Sequence, residues 1–230
     1  ETLTTYLRDH HLALATGAYG FDFDSGRLTN SLFLLDRDGK LVNPHYSKTI
    51  LLAFGEYLPG ETWFPFIRGW LPPIGEFARG QGPSQLIRWN GLKMGVQICY
   101  ESLFPDFTRK WADLGAQFLV NATNDSWYGT WQEPRQHLMM TLGRAVEVRR
   151  PVIRATNTGI STVGLASGRH LEESPLHQPW VGLLEIPYEK DPGNTLYQQT
   201  YWFLPLLLWG SFFQLVFTAL KAKWAGRRAD

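Results

Sequence analysis

The sequence predicts a layered α/β sandwich followed by a single membrane-spanning helix. Short apolar strand patterns broken by Asx-Gly turns alternate with helical stretches, as in domains that pack helices onto sheets. The hydrophobic fraction of 44% is enough to fill a core. From Tyr201 to Leu220 the chain carries no charge at all.

Residues 1–13 read as the end of a helix, and "LALATGAY" (12–19) as a buried strand. "LTNSLFLLDRDGKLV" (28–42) reads as a hairpin turning at Asp38-Gly39. "LIRWNGLKMGVQIC" (86–99) repeats that logic around Asn90-Gly91. Residues 105–114 suit a short helix and "AQFLVNAT" (116–123) a strand. Residues 133–149 suit a helix begun by Pro134 and stopped before Pro151. "PVIRATNTGISTVGLASGRHLEE" (151–173) reads as a hairpin turning at Ser167-Gly168. Between the hairpins, Trp63, Phe66, Ile67, Trp70, Leu71 and Ile74 fall at helical spacing, interrupted by Pro65, Pro72 and Pro73. That segment is either an apolar lid that dips into a membrane or a loop packed on the sandwich.

The charge-free stretch at 201–220 is long enough, as a helix, to span roughly 30 Å, the hydrocarbon thickness of a bilayer. Tyr201, Trp202 and Trp224 suit its interfaces. Lys221, Lys223, Arg227 and Arg228 follow, against Asp230. By the positive-inside rule, 221–230 is then a cytoplasmic tail, and the domain before the span lies across the membrane. The bland reading is a buried C-terminal helix.

Other function classes find little support. The formal net charge is +1, and no basic stripe interleaved with aromatics marks a nucleic-acid surface. The six histidines, at 10, 11, 45, 137, 170 and 177, lack metal-ligand spacing. No P-loop, dinucleotide fingerprint or nucleophilic-serine elbow is present, so no cofactor is expected. A single cysteine rules out an internal disulfide.

That cysteine, Cys99, ends an apolar run and is followed at once by Tyr100 and Glu101. It is either plain core or a nucleophile at the rim of a sheet, and a nucleophile needs a base or a nearby positive charge. Lys48, in "HYSKTILLAFGEYLP" (45–59), is either a solvated surface residue or that charge. Glu56 sits between Gly55 and Tyr57-Leu58-Pro59. It is either a surface turn carboxylate or an acid/base group made by its tight apolar setting.

"YSKTILLAFGEYLP", "GVQICYESLFP", "NATNDSWYG" and "RATNTGIST", in that order, resemble signature stretches of the nitrilase superfamily, and more closely the apolipoprotein N-acyltransferases of bacteria. The resemblance covers nearly the whole chain and includes the terminal span. It implies a nitrilase-like α-β-β-α sandwich facing the periplasm from the inner membrane. It also implies a Glu–Lys–Cys triad that takes an acyl chain from a phospholipid as a thioester and passes it to the N-terminal diacylglyceryl-cysteine of a lipoprotein. Cys99 then matches the nucleophile, Lys48 the triad lysine and Glu56 a second glutamate beside the site. Tyr100 and Glu101 match the pair after the cysteine, and Asn124, Asp125 and Trp127 a loop bordering the pocket, so the resemblance implies that these five contact substrate. The family's triad glutamate lies in an upstream motif with no counterpart here. The expectation is therefore a partial catalytic domain over 1–195, lacking its N-terminal part, then a span at 201–220. Two other classes compete. One is a nitrilase-type amidase that hydrolyses a carbon–nitrogen bond, and the other is a tethered interaction domain with a core cysteine.

Overall fold

The turn chemistry of the sequence places the strands. In the computed structural model, which describes residues 2–71, 74–126 and 132–226, helix α1 (Leu3–Asp9) leads into β1 (Leu14–Asp22). β2 (Arg27–Leu35) and β3 (Leu41–Ser47) flank the Asp38-Gly39 turn, where Gly39 adopts φ +74. β1, β2 and β3 form one antiparallel sheet in that order. β4 (Ile87–Trp89) and β5 (Leu92–Ile98) meet at Asn90 (φ +48) and Gly91 (φ +76). Two consecutive positive φ values are what a type I′ hairpin turn requires, and Asn-Gly supplies them at little steric cost.

The second sheet runs β4-β5-β6-β7-β8, with β6 at Phe118–Thr123, β7 at Val152–Thr156 and β8 at Thr162–Gly164. β5, β6 and β7 are parallel, so each connection needs a crossover, and helices α2 (Pro105–Asp113) and α3 (Glu133–Val148) provide them. Both helices begin with proline in the first turn, where its missing N–H costs nothing. β5 is buried on both faces. Met94, Val96 and Ile98 join Leu32 and Leu34 of β2 and Tyr46 of β3 in one core between the sheets. Gly95 lies under α2, where a Cβ would fall 2.9 Å from the Cβ of Trp111. Gln97 donates to Thr108 Oγ1 of α2 at 2.5 Å.

Three expectations change. The strand expected at 12–19 runs to Asp22 and is not buried: Tyr19 is 70% exposed. β1 is the edge of its described sheet and pairs only with β2, so an apolar run there was misread as interior. The hairpin at 151–173 has two turns. β7 pairs with β8 across 157–161, closed by side chains: Thr156 N donates to Ser161 Oγ and Gly159 N to Thr156 Oγ1. The Ser167-Gly168 turn then returns the chain, so that Leu171 N donates to Val163 O. Finally, the described part of the aromatic segment at 63–74 forms a short 3₁₀ helix, Pro65–Trp70, and it is not packed away: Trp63 is 81% and Trp70 79% exposed. Arg68 stiffens it by reaching Glu61, Glu76 (3.0 Å) and the carbonyl of Ile74 (3.1 Å).

The chain divides at Gly193/Asn194 into two compact units. The second holds α4 (Leu196–Thr200), with a capping box in which Thr195 and Gln198 exchange bonds, and α5 (Phe203–Gly226). α5 has 24 residues, about 36 Å of helix, and its described side chains are exposed on every face. A helix that is apolar all round, and unburied, is long and greasy enough to cross a membrane. Residues 227–230 of the expected tail lie outside the described residues.

Candidate active site

Cys99 is the first residue of a 3₁₀ turn, Cys99–Leu103, that breaks off the end of β5. It is a free, partly buried thiol, and its φ of +51 is a left-handed conformation that a side-chain-bearing residue rarely adopts. Such a conformation persists only where the surroundings enforce it, and it clusters at reactive sites. Cys99 is packed in part against the core between the sheets.

Glu101, two residues on, ties this turn to the end of β3. Its side chain is fully buried. One carboxylate oxygen accepts from Thr49 N (2.6 Å) and Ile50 N (3.0 Å), and the other from Ile98 N (2.8 Å). Tyr46 donates its hydroxyl to the same carboxylate at 2.8 Å. One side chain thus fastens the main chain beside Lys48 to the main chain beside Cys99. Burial pushes the Glu101 carboxyl above its ordinary range, against the pull of these bonds. Burial, with Glu101 alongside, likewise raises the Tyr46 phenol.

Lys48 is 2% exposed, so it is not the solvated surface lysine of the alternative reading. Its ammonium donates to Glu56 Oε2 at 2.7 Å. The same oxygen accepts from Leu52 N (2.8 Å), and Oε1 accepts from Asn30 Nδ2 (3.0 Å). The Glu56 side chain retains 13% exposure. The Lys48–Glu56 ion pair therefore closes the loop 49–56 on itself and holds a buried cation just after β3.

The residues expected at a pocket border separate. Tyr100 is partly buried, its ring edge-on to Phe104 at 5.1 Å. Asn124 is exposed, and its Oδ1 accepts from Ser126 N (3.0 Å) and Asn157 Nδ2 (2.7 Å). Trp127 lies outside the described residues. Asp125 and Glu101, expected to meet substrate, are both buried and turned to protein partners. Asp125 is 1% exposed and pairs with Arg154 (2.7 Å) and His137 Nδ1 (3.2 Å). Burial opposes its ionisation, yet the His137 contact and the Arg154 charge hold it below the usual carboxylate range. Gly159 packs against this carboxylate so closely that a Cβ would collide with it.

Sequence reading missed Tyr46, Asn30, Ser102, Asn121, His137 and Arg154. One signal was available: Asn121 and Arg154 are polar residues inside mostly apolar strands, "FLVNAT" and "VIRAT", both fully buried in the parallel sheet. Among the described residues, no group of His, Cys, Asp and Glu forms a metal-ligand set.

The carbon–nitrogen hydrolase model matches residues 1–198. The chain belongs to the carbon–nitrogen hydrolase family. Apolipoprotein N-acyltransferases are among its curated relatives. The one from Bdellovibrio bacteriovorus is 50% identical over 195 residues, covering 81% of this chain and 36% of that protein. The one from a Nostoc species is 34% identical over 211 residues, covering 91% and 41%. The chain thus spans well under half the length of either relative. Among solved structures, the carbon-nitrogen hydrolase from Helicobacter pylori G27 aligns with a TM-score of 0.59 at 18% identity, over 77% of this chain and 63% of that one. An amidase from Nesterenkonia sp. AN1 aligns with a TM-score of 0.56 at 24% identity, over 76% and 63%. At these identities the likeness is one of fold, and the family's nitrilase fold is the one seen here.

Proposed function

We propose that this chain is the C-terminal part of an apolipoprotein N-acyltransferase, with a partial catalytic domain at 1–195, a span at 201–220 and a tail at 221–230. The observation that carries the reading is the Cys99 turn, clamped by Glu101 to the loop that holds the buried Lys48–Glu56 pair.

The chemistry runs in two halves. A glutamate, which the family's layout places upstream of residue 1, takes the Cys99 thiol proton. The thiolate attacks the ester carbonyl of a membrane phospholipid. The Lys48 ammonium stabilises the oxyanion, a role that a desolvated, preorganised cation fills far better than water does. Collapse breaks the carbon–oxygen bond, and the lysophospholipid leaves with the proton returned by the glutamate. The amino group of a diacylglyceryl-cysteine lipoprotein then attacks the thioester, gives its proton to the glutamate and expels the Cys99 thiolate, which takes that proton back. Glu56 holds the Lys48 ammonium in place. Trp63, Phe66 and Trp70 form an apolar rim that meets the bilayer and admits acyl chains. The domain faces the periplasm of the inner membrane, and the tail is cytoplasmic.

An amidase would use the same nucleophile. The exposed apolar α5 and the relatives' identity favour the acyltransferase, because hydrolysis of small amides needs no membrane helix. Intact-mass spectrometry of the full-length protein after incubation with phospholipid tests the reading. A hydroxylamine-sensitive acyl adduct, absent in Cys99→Ala, is the expected result. Folded protein that forms no adduct, yet hydrolyses small amides, would overturn it.

A further inference from the structure

A buried polar set converges on the Cys99 backbone, and the acyl-transfer steps above leave it unused. Two side chains donate to the Cys99 carbonyl: Ser102 Oγ at 3.1 Å and Asn121 Nδ2 at 3.3 Å. Both are fully buried. Neither is held by packing alone. Arg154 donates to Asn121 Oδ1 at 2.7 Å and to Asp125 Oδ2 at 2.7 Å. Ser102 Oγ lies 2.8 Å from Thr141 Oγ1 and 3.5 Å from His137 Nε2. His137 Nδ1 lies 3.2 Å from Asp125 Oδ1, which closes the set.

The physical question is why β7 carries an arginine where valine would pack. Burying an ion pair returns less Coulomb energy than desolvation takes, so such a pair is poor evidence for stability. Its best-attested use is to impose one geometry. Here the geometry imposed is that of a strained residue: Cys99 sits at φ +51, and its carbonyl orientation goes with that conformation. Two donors on one carbonyl lock the peptide plane after Cys99, and with it the direction in which the thiol leaves the turn.

We propose that Ser102 and Asn121 are positioning residues for Cys99, themselves held in place by the Asp125–Arg154–His137 set. The proposal rests on the reading of Cys99 as the nucleophile. Misplacing a reacting atom by about 1 Å can cost about 100-fold in rate.

The test is single-turnover acylation of the full-length protein by phospholipid, read by intact mass. Ser102→Ala, Asn121→Ala, Ser102→Thr and Cys99→Ala are compared with the parent. Alkylation by iodoacetamide is measured in parallel, because it needs a thiolate but no aligned ester. The expected result is an acylation rate about 100-fold lower in Ser102→Ala and Asn121→Ala at saturating phospholipid, with half-saturation and alkylation unchanged. Ser102→Thr, which keeps the hydroxyl, recovers the rate. Parent-like acylation in Ser102→Ala would overturn the proposal while leaving the nucleophile intact. So would a loss that tracks half-saturation, or that falls equally on alkylation. If Asn121→Ala does not fold, the Ser102 pair decides. An adduct that persists in Cys99→Ala would remove the nucleophile reading, and this proposal with it.

Discussion

Glu101 and Asp125 are both buried carboxylates linked to the Cys99 turn, yet they are held by opposite means. Among the described residues, Glu101 has no cation as a hydrogen-bond partner: three main-chain N–H groups and a phenol donate to it. Asp125 has Arg154 at 2.7 Å with His137 beside it. Burial wins at Glu101, whose carboxyl rises above its ordinary range, and loses at Asp125, whose carboxyl falls below it. A main-chain cage can position a segment without fixing the charge of the group at its centre. A guanidinium fixes both.

That contrast can be broken at several points. The largest effect is expected from Asp125→Ala, which leaves the buried Arg154 guanidinium without its carboxylate. It should cost about 3–5 kcal/mol in denaturant unfolding. A cost comparable to a surface substitution would show that Arg154 finds compensation elsewhere. Lys48→Met comes next, and its main effect falls on chemistry. Removing the ammonium leaves Glu56 without its cation, so stability should fall, though by less than in Asp125→Ala because Glu56 keeps 13% exposure and two further donors, while acyl-adduct formation by the folded protein drops about 100- to 1,000-fold. An unchanged adduct rate would remove Lys48 from oxyanion stabilisation. Glu101→Gln should cost about 1–3 kcal/mol, because the new NH₂ must face a main-chain N–H that the carboxylate accepted.

The smallest effect is the sharpest discriminator. Asp125 ionises more readily folded than unfolded, so its stabilisation is full above its ordinary value of 3.8 and is lost as pH falls through the lower folded value. Glu101 is the reverse. Its folded form holds a proton more tightly, so stability falls as pH rises from its ordinary 4.5 through the raised folded value. Stability of the parent relative to Asp125→Asn should therefore grow with pH across the acid range. Relative to Glu101→Gln it should shrink. Two curves of the same sign would mean that both carboxylates are controlled alike.

Much of the frame was legible from local patterns. Asp38-Gly39 and Asn90-Gly91 supply the positive φ values their turns need. Pro105 and Pro134 mark helix starts. Cys99, Lys48 and Glu56 were all candidates, each with an ordinary explanation also open. The partners that give them a setting were not legible. Glu101 reaches Thr49 across 52 positions, and Arg154 reaches Asp125 across 29. No period or spacing encodes such meetings. β1 was misjudged for the same reason, since a strand's burial depends on what lies over it.

Periodicity, turn residues and the uncharged stretch ending at Leu220 determined, by themselves, most element types, the hairpin turns at Asp38-Gly39 and Asn90-Gly91, and the apolar helix α5. These features depend on neighbours within a few residues, whose geometry the peptide bond and side-chain sterics dictate. Only the tertiary structure decided that Lys48 is buried, that Glu101 joins β3 to the Cys99 turn, and that Arg154 carries Asn121 to the Cys99 carbonyl. Those contacts form when separate elements exclude water together, and buried polar groups must then find whichever partners the packing brings within reach.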